Sequence, residues 1–417
     1  MSENAPRIGV FDSDLLYLAD CLGEAGGEPV ALTFPEARPE GGVALAREWI
    51  ADAAQVSCAY QHLDALLVAA EEPEKLAGLV LSALRLNLPT VAAPPRDHRL
   101  FAALAALGLA PLTANSADVV VGVARSGGPR PLELLEGFSL ANALRVACSL
   151  GDGPETIVHL SAIAREAGAL GFDQMLRVLV PETPVLLEPG SGWLEERGVA
   201  GLLAYLGDII HNTRTVEGRL QEILPPPPPP PPPPAPTPLV DSRLVFVEGR
   251  ASGTVAISRK AVSEEISGEC RVPGSETFAV RAVERGSFAP DSLLVVSGCG
   301  PRGGPGLLRL DLLGQALRES GLEESVSVIT DGLPPRGARG TWVSLFSPEA
   351  AAGGVIGRLR DGDTLRIDLT EGRIRTGVKA GELESRDPYE SPDPAAAGYA
   401  GRYARSALPA LEGAGFG

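Results

Sequence analysis

The stretch ALLVAAEEPEKLAGLVLSALRLNLPTVAA, residues 65–93, decides the fold of the first half of this chain. Residues 65–69 form a short, unbroken apolar run, residues 74–86 repeat apolar side chains at helical spacing, and residues 90–93 are apolar again. Short apolar runs of this kind, alternating with helical patterns, belong to strands buried on both faces. Working outward, residues 7–10 and 29–34 read as further strands. Residues 15–24, 43–62 and 98–107 read as further helices. The alternation predicts an α/β domain, a parallel sheet covered by helices on both faces. A more helical stretch follows, at residues 139–149, 156–168 and 199–211.

Residues 225–234 are ten consecutive prolines. Proline fixes φ and donates no backbone hydrogen bond, so the run is expected as a polyproline II rod of about 30 Å, at roughly 3.1 Å per residue. It reads as a linker, residues 225–238, between a first domain at 1–224 and a second at 239–385. Residues 386–417 read as an irregular tail with a short terminal helix. Docking into a partner's aromatic-lined groove is the alternative use of such a rod. Beyond it, strand-like pieces at 243–247, 253–257, 292–296, 326–330, 341–345 and 364–369 are punctuated by glycine, with one helix at 307–320. That pattern predicts a β-rich, barrel-like second domain.

The chain has 417 residues, 44% hydrophobic and 5% aromatic, enough to bury two ordinary cores. Its formal charge of -17, with no run of Lys or Arg, argues against nucleic acid or an anionic membrane as partner. Five scattered cysteines, none at Cys-x-x-Cys spacing, read as thiols of a reducing compartment. No stretch approaches the roughly 18 apolar residues of a membrane span, and no basic N-terminal region leads into an apolar one, so the expectation is a cytoplasmic protein.

Several segments, in order, carry a resemblance. In the first half they are Arg47-Glu48-Trp49-Ile50-Ala51-Asp52, Ala83-Leu84-Arg85-Leu86-Asn87-Leu88-Pro89-Thr90, Thr113-Ala114-Asn115-Ser116, and Val158-His159-Leu160 running into Ala162-Ile163-Ala164-Arg165-Glu166-Ala167-Gly168. In the second half they are Gly300-Pro301-Arg302-Gly303-Gly304-Pro305-Gly306, Ile329-Thr330-Asp331-Gly332, Ser347-Pro348-Glu349-Ala350-Ala351, Asp361-Gly362-Asp363-Thr364 and Tyr403-Ala404-Arg405. Together they resemble the dihydroxy-acid dehydratase and 6-phosphogluconate dehydratase family. The resemblance implies an α/β domain and a barrel-like domain with the active site between them. It also implies dehydration of 2,3-dihydroxy acids or sugar acids: an iron–sulfur cluster on three Cys activates the leaving hydroxyl, magnesium holds the carboxylate and enolate, and a serine removes the α proton.

The sequence departs from that pattern where the chemistry resides. The family's Cys-Asp-Lys falls on Glu72-Pro73-Glu74, and a later cluster Cys falls near Gly108 in a segment, residues 101–112, without cysteine. An early Pro-Cys-Asn element is missing, since Cys21 stands too close to Glu24-Ala25-Gly26-Gly27. Arg309 replaces a metal-binding Glu. The family's Arg-Phe-Ser-Gly-Gly-Thr becomes Leu333-Pro334-Pro335-Arg336-Gly337-Ala338, which puts Pro335 at the serine, and its Gly-Ser-Thr-Asn becomes Asp152-Gly153-Pro154-Glu155. Glu48 alone keeps a magnesium-ligand position, and one carboxylate does not make a magnesium site.

The expectation is therefore a divergent member without iron–sulfur cluster, magnesium or other metal site, whose cleft has been recharged. In one reading it is a cluster-free lyase or related acid/base enzyme on a small carboxylated metabolite. Glu72, Glu155 and Arg336 are then the catalytic candidates, and Glu48, Gly303, Gly304, Gly306 and Arg309 the substrate-binding ones. In the other, the Glu and Arg residues pair across the cleft, the glycines permit a tight domain interface, and the protein is a non-catalytic paralogue acting as a partner or regulatory subunit. His159 reads as a packed or capping histidine or as a base. The expected assembly is a homodimer or a heterodimer with a paralogue.

Overall fold

The structure is a computed structural model that describes residues 5–11, 15–34, 41–93, 99–151, 153–183, 185–187, 192–231, 244–249, 254–258, 265–288, 292–304, 306–390 and 397–417. Among the residues read above, His98, Asp152, residues 232–238, Arg243, Gly253 and Pro305 lie outside the described residues.

The first half opens with β1 (Arg7–Phe11), α1 (Leu15–Glu24), β2 (Glu28–Ala31), α2 (Val43–Cys58), β3 (Ala65–Val68), α3 (Pro73–Leu86), β4 (Thr90–Ala92) and α4 (Arg99–Ala106). The four strands form one sheet in the order β2-β1-β3-β4, parallel at every pairing, as the alternation requires. All four residues of β3 are buried, which is why that strand reads as a continuous apolar run. The sequence carries α2 on to residue 62. The helix stops at Cys58 because Ala59 turns to extended backbone and Tyr60 and His62 adopt positive φ.

Next come α5 (Ser116–Ser126), α6 (Pro131–Leu134), α7 (Gly137–Ser149), α8 (Pro154–Glu166), α9 (Phe172–Glu182), α10 (Trp193–Leu206), the hairpin β5 (Arg214–Thr215) and β6 (Gly218–Arg219), and α11 (Leu220–Ile223). Helices α5 and α9 are not among those expected from the sequence pattern. The ends of α5 are nevertheless marked: the Asn115 side chain accepts from Ala117 N–H at 2.8 Å, and Gly127 closes the helix in the left-handed region. Helix α10 is two helical pieces kinked at Gly198, whose φ of 67 and ψ of 176 are non-helical; the second piece starts at Val199, where the sequence pattern places it, and ends at Leu206. Of the described prolines that follow α11, Pro228 and Pro231 are half-buried and the others exposed.

The second half holds β7 (Leu244–Gly249), β8 (Thr254–Ser258), β9 (Glu265–Arg271), α12 (Glu276–Glu284), β10 (Leu293–Val296), α13 (Asp311–Glu319), β11 (Ser327–Thr330), β12 (Thr341–Ser344), β13 (Thr364–Asp368), β14 (Arg373–Thr376), α14 (Ala380–Ser385) and α15 (Gly398–Ser406). Its strands close a barrel in the order β10-β11-β12-β8-β7-β14-β13-β9. The pairings β9–β10, β10–β11, β11–β12 and β14–β7 are parallel and the rest antiparallel. Helices α12 and α13 are the crossovers that the parallel steps need. Alternation along β10 puts Leu293 and Val295 in the barrel interior with Ile329, Val343 and Ile367. Leu294 and Val296 face the layer formed by Val283, Leu313 and Leu317 of α12 and α13. Strands β9 and β14 and helix α12 are absent from the sequence reading, and α13 starts at Asp311 rather than residue 307.

A further apolar cluster joins the halves. Val43, Ala44 and Leu45 of α2 and Val158 of α8 pack with Leu307, Leu333 and Leu345, and with Tyr403, Ala407 and Ala414 of the tail. The first N–H groups of α2 find acceptors in the second half: Val43 N–H donates to Leu307 O at 3.1 Å and Ala44 N–H to Gly306 O at 2.8 Å. The approach is so close that a Cβ at Gly306 would lie 2.3 Å from Leu45 Cβ. Helix α14 precedes the tail and is absent from the sequence pattern; the tail, expected as irregular with a short terminal helix, carries α15 and a terminal turn buried against α8.

Candidate functional site

Glu155 stands in the first turn of α8, where a helix N-terminus favours a carboxylate. Arg336, from the turn between β11 and β12, forks onto it. Its Nε donates to Oε2 at 3.1 Å and its Nη2 to Oε1 at 2.8 Å, and Nη2 also reaches Glu74 Oε2 at 3.0 Å. Arg309 Nη1 lies 3.3 Å from both Glu155 oxygens while its Nε donates to Asp311 Oδ2 at 2.7 Å. Both guanidiniums come from the second half and both glutamates from the first. Burial alone would raise the Glu155 carboxyl. The Arg336 guanidinium, donating to both of its oxygens, outweighs burial and holds it well below the usual carboxylate range.

His159, one turn along α8, is completely buried. Its Nδ1 lies 3.4 Å from Arg47 Nη1, and a guanidinium only donates, so Nδ1 accepts and the ring proton sits on Nε2. Nε2 is 3.8 Å from Glu155 Oε1, too far for a hydrogen bond, and has no other partner among the described residues. Burial lowers the affinity of this ring for a second proton, so it stays neutral.

Arg47 continues the network inward. It donates to Glu48 Oε1 through Nε at 3.1 Å and Nη2 at 2.8 Å, and to Gly413 O at 2.6 Å, which ties the tail to α2. The other Glu48 oxygen accepts from Arg85 Nη2 at 3.1 Å, and Arg85 also pairs with Asp52 at 2.8 Å and Glu166 at 3.1 Å. Both oxygens of Glu48 therefore face guanidinium groups.

Of the sequence candidates, Glu155, Arg336 and Arg309 meet, with Glu74 as a fourth member. Glu48 lies in the same chain of contacts, reached through Arg47 and His159. Glu72 stands apart at the start of α3, half-buried, capping nothing and making no ion pair among the described residues. The three glycines lie in the loop after β10, where Gly303 N–H donates to Glu349 Oε2 at 3.1 Å. Gly304 N–H donates to Gly300 O at 2.9 Å and Gly306 N–H to Pro301 O at 2.6 Å. The acceptor on this loop is thus the protein's own Glu349 carboxyl, which also accepts from Arg302 N–H at 3.0 Å. Burial pushes the Glu349 carboxyl up to about 7, the loop N–H groups opposing and the nearby Asp331 carboxylate adding to the rise.

Arg47, Asp331 and Glu349 are not among the candidates that the sequence marks. Each lay in a quoted motif: Arg47 beside Glu48, Asp331 in Thr330-Asp331-Gly332 and Glu349 in Ser347-Pro348-Glu349. Asp331 is buried and accepts from the N–H groups of Gly298, Cys299 and Ala350. Pro335, at the position aligned with a serine, packs over Gly314, where a Cβ would lie 2.2 Å from its Cγ.

The donors present do not fit an iron–sulfur cluster or a magnesium ion. Cys58 and Cys148 belong to the core of the first half, Cys270 to the barrel interior and Cys299 to the layer under α12 and α13. Burial pushes the Cys58 and Cys270 thiols up to about 12, away from the thiolate that ligation uses. Among the described residues no three His, Cys, Asp or Glu side chains converge as metal ligands, and guanidinium groups occupy the carboxylates of Glu48, Glu74 and Glu155.

Comparison with known proteins bears on the same elements. Residues 240–414 match the family described as dihydroxy-acid/6-phosphogluconate dehydratase C-terminal. The chain is 34% identical over 319 residues to dihydroxy-acid dehydratase 2 of Bordetella bronchiseptica, covering 69% of this chain and 54% of that protein. It is 32% identical to the dihydroxy-acid dehydratases of Pelobacter propionicus, over 69% of this chain and 55% of that one, and of Synechococcus, over 72% and 58%. The chain spans about half the length of the curated relatives it matches. Among the described residues no helix is long and apolar enough to cross a membrane.

Proposed function

We propose that this chain, which belongs to the dihydroxy-acid/6-phosphogluconate dehydratase family, does not dehydrate a dihydroxy acid and acts instead as a partner or regulatory subunit built on the family's fold. The observation that carries the reading is the closure of Glu155 by Arg336 and Arg309. A carboxylate held low and shared by two guanidiniums is a poor proton acceptor, and the same pairs join the two halves. The glycine loop supports the reading, since Glu349 and backbone carbonyls take the N–H groups that a substrate anion would need. Heterodimerisation with a paralogue, or homodimerisation, is part of the same proposal.

The test is direct. Purified protein should be colourless, contain no stoichiometric iron and show no turnover of 2,3-dihydroxyisovalerate with added magnesium. Brown protein with bound iron, or measurable turnover, overturns the proposal. A cluster-free acid/base enzyme is the competing reading, and one observation favours it: Glu72 is half-buried at a helix start without an ion pair among the described residues. Alanine at Glu72 together with Glu155, Arg309 and Arg336 separates the two. Loss of a cellular phenotype in this variant while its fold and assembly persist supports the enzyme.

A further inference from the structure

A cavity of about 700 Å³ lies on the other side of α8 from its contacts with Arg47, between the α8–α9 turn, Ser347 and the C-terminal turn of the tail. Its size falls within the range of small-molecule sites. Ser161 lines it, 4% exposed, with its Oγ buried and lacking any hydrogen-bond partner among the described residues. A buried hydroxyl without a partner is destabilising, so a ligand that supplies an acceptor or donor there recovers an interaction missing among the described residues. The N-terminus of α9, an eleven-residue helix, opens on the same cavity. Gly171 precedes it in the left-handed region and no side chain caps it. Its first N–H groups have no partner within the helix and attract a negative group. Arg165 stands on the wall, one turn along α8 from Ser161.

The cavity also carries negative charge, from Asp173 and Glu412, and an apolar wall that includes Leu411. A polyanion such as a nucleotide phosphate would meet those carboxylates. A small molecule with one carboxylate and one ammonium satisfies both signs. We propose that this cavity binds a zwitterion of the α-amino-acid class, its carboxylate held by Arg165, the Ser161 hydroxyl and the α9 N-terminus, its ammonium by Asp173 or Glu412. The site is separate from the Glu155 cluster and does not depend on the reading of that cluster.

A ligand series isolates each charge: norvaline, its des-amino analogue pentanoate, its des-carboxy analogue butylamine, and inorganic phosphate, titrated calorimetrically into the full chain at constant ionic strength. Norvaline should bind, and pentanoate and butylamine should each bind about tenfold or more weakly, the loss of one charge-assisted contact. Arg165→Ala should weaken norvaline at least tenfold while Arg309→Ala leaves it unchanged. Arg165 is exposed, so its loss should not unfold the protein. Ser161→Ala should weaken norvaline severalfold yet leave the melting temperature of the ligand-free protein unchanged or higher, since the hydroxyl has no partner among the described residues. No norvaline binding at 20 mM, equal binding of pentanoate or phosphate, or indifference to Arg165→Ala overturns the proposal.

Discussion

At the scale of single residues, two carboxylates of opposite character make opposite predictions. Glu155 is held below the ordinary carboxylate range, so its contribution to stability is fully present above the unfolded value near 4.3. It disappears as pH falls through the folded value. Glu155→Gln should therefore cost about 1–2 kcal/mol at pH 7, the half-exposed Arg336 limiting the loss, and this cost should shrink towards pH 2. Urea denaturation across that range checks it, and a pH-independent cost would refute the assignment. Glu349 is pushed up to about 7, so the fold favours its protonated form and stability declines as pH rises from near 4.3 to about 7. Glu349→Gln should gain about 1 kcal/mol at pH 8 and nothing at pH 4. A loss at both pH values would mean that the Arg302 and Gly303 N–H groups need the full charge.

At the scale of elements, the glycines of the loop after β10 are distinguished by backbone geometry. Gly306 has a φ of 93 and meets Leu45, so Gly306→Ala should lose about 2–4 kcal/mol. Gly303 lies outside the left-handed region and its nearest neighbours to a Cβ are 3.2 Å away, so Gly303→Ala should cost about 1 kcal/mol or less. Equal costs in chemical denaturation would show that the contact with α2 does not set the requirement for glycine. The same contrast explains what sequence reading reaches. The apolar runs at β3 and β4 and the helical spacing of α3 follow from burial along one element and are legible. Strand β9 is not, because Glu265, Ser267 and Glu269 interrupt it with polar residues and its membership depends on pairing with β10 and β13.

At the scale of the whole molecule, the apolar cluster around Tyr403 and the Glu155 ion pairs make the halves one cooperative unit. Tyr403 is completely buried, and its hydroxyl donates to Ala414 O at 2.5 Å. The full chain should unfold calorimetrically in a single transition, and Tyr403→Ala should lose about 3–5 kcal/mol or split that transition in two. Two transitions in the parent protein would contradict the coupling. The sequence alone determined a parallel α/β half, a barrel-like half and the family, because these are written in local periodicity and in short contiguous motifs. Only the tertiary structure decided what the charges do. Arg336 and Glu155 are 181 residues apart, and nothing in their local sequence says whether they face a substrate or each other. That depends on how α8 of one half meets the β11–β12 turn of the other. There a carboxylate moved out of water is stabilised by the nearest guanidinium, and the structure supplies two.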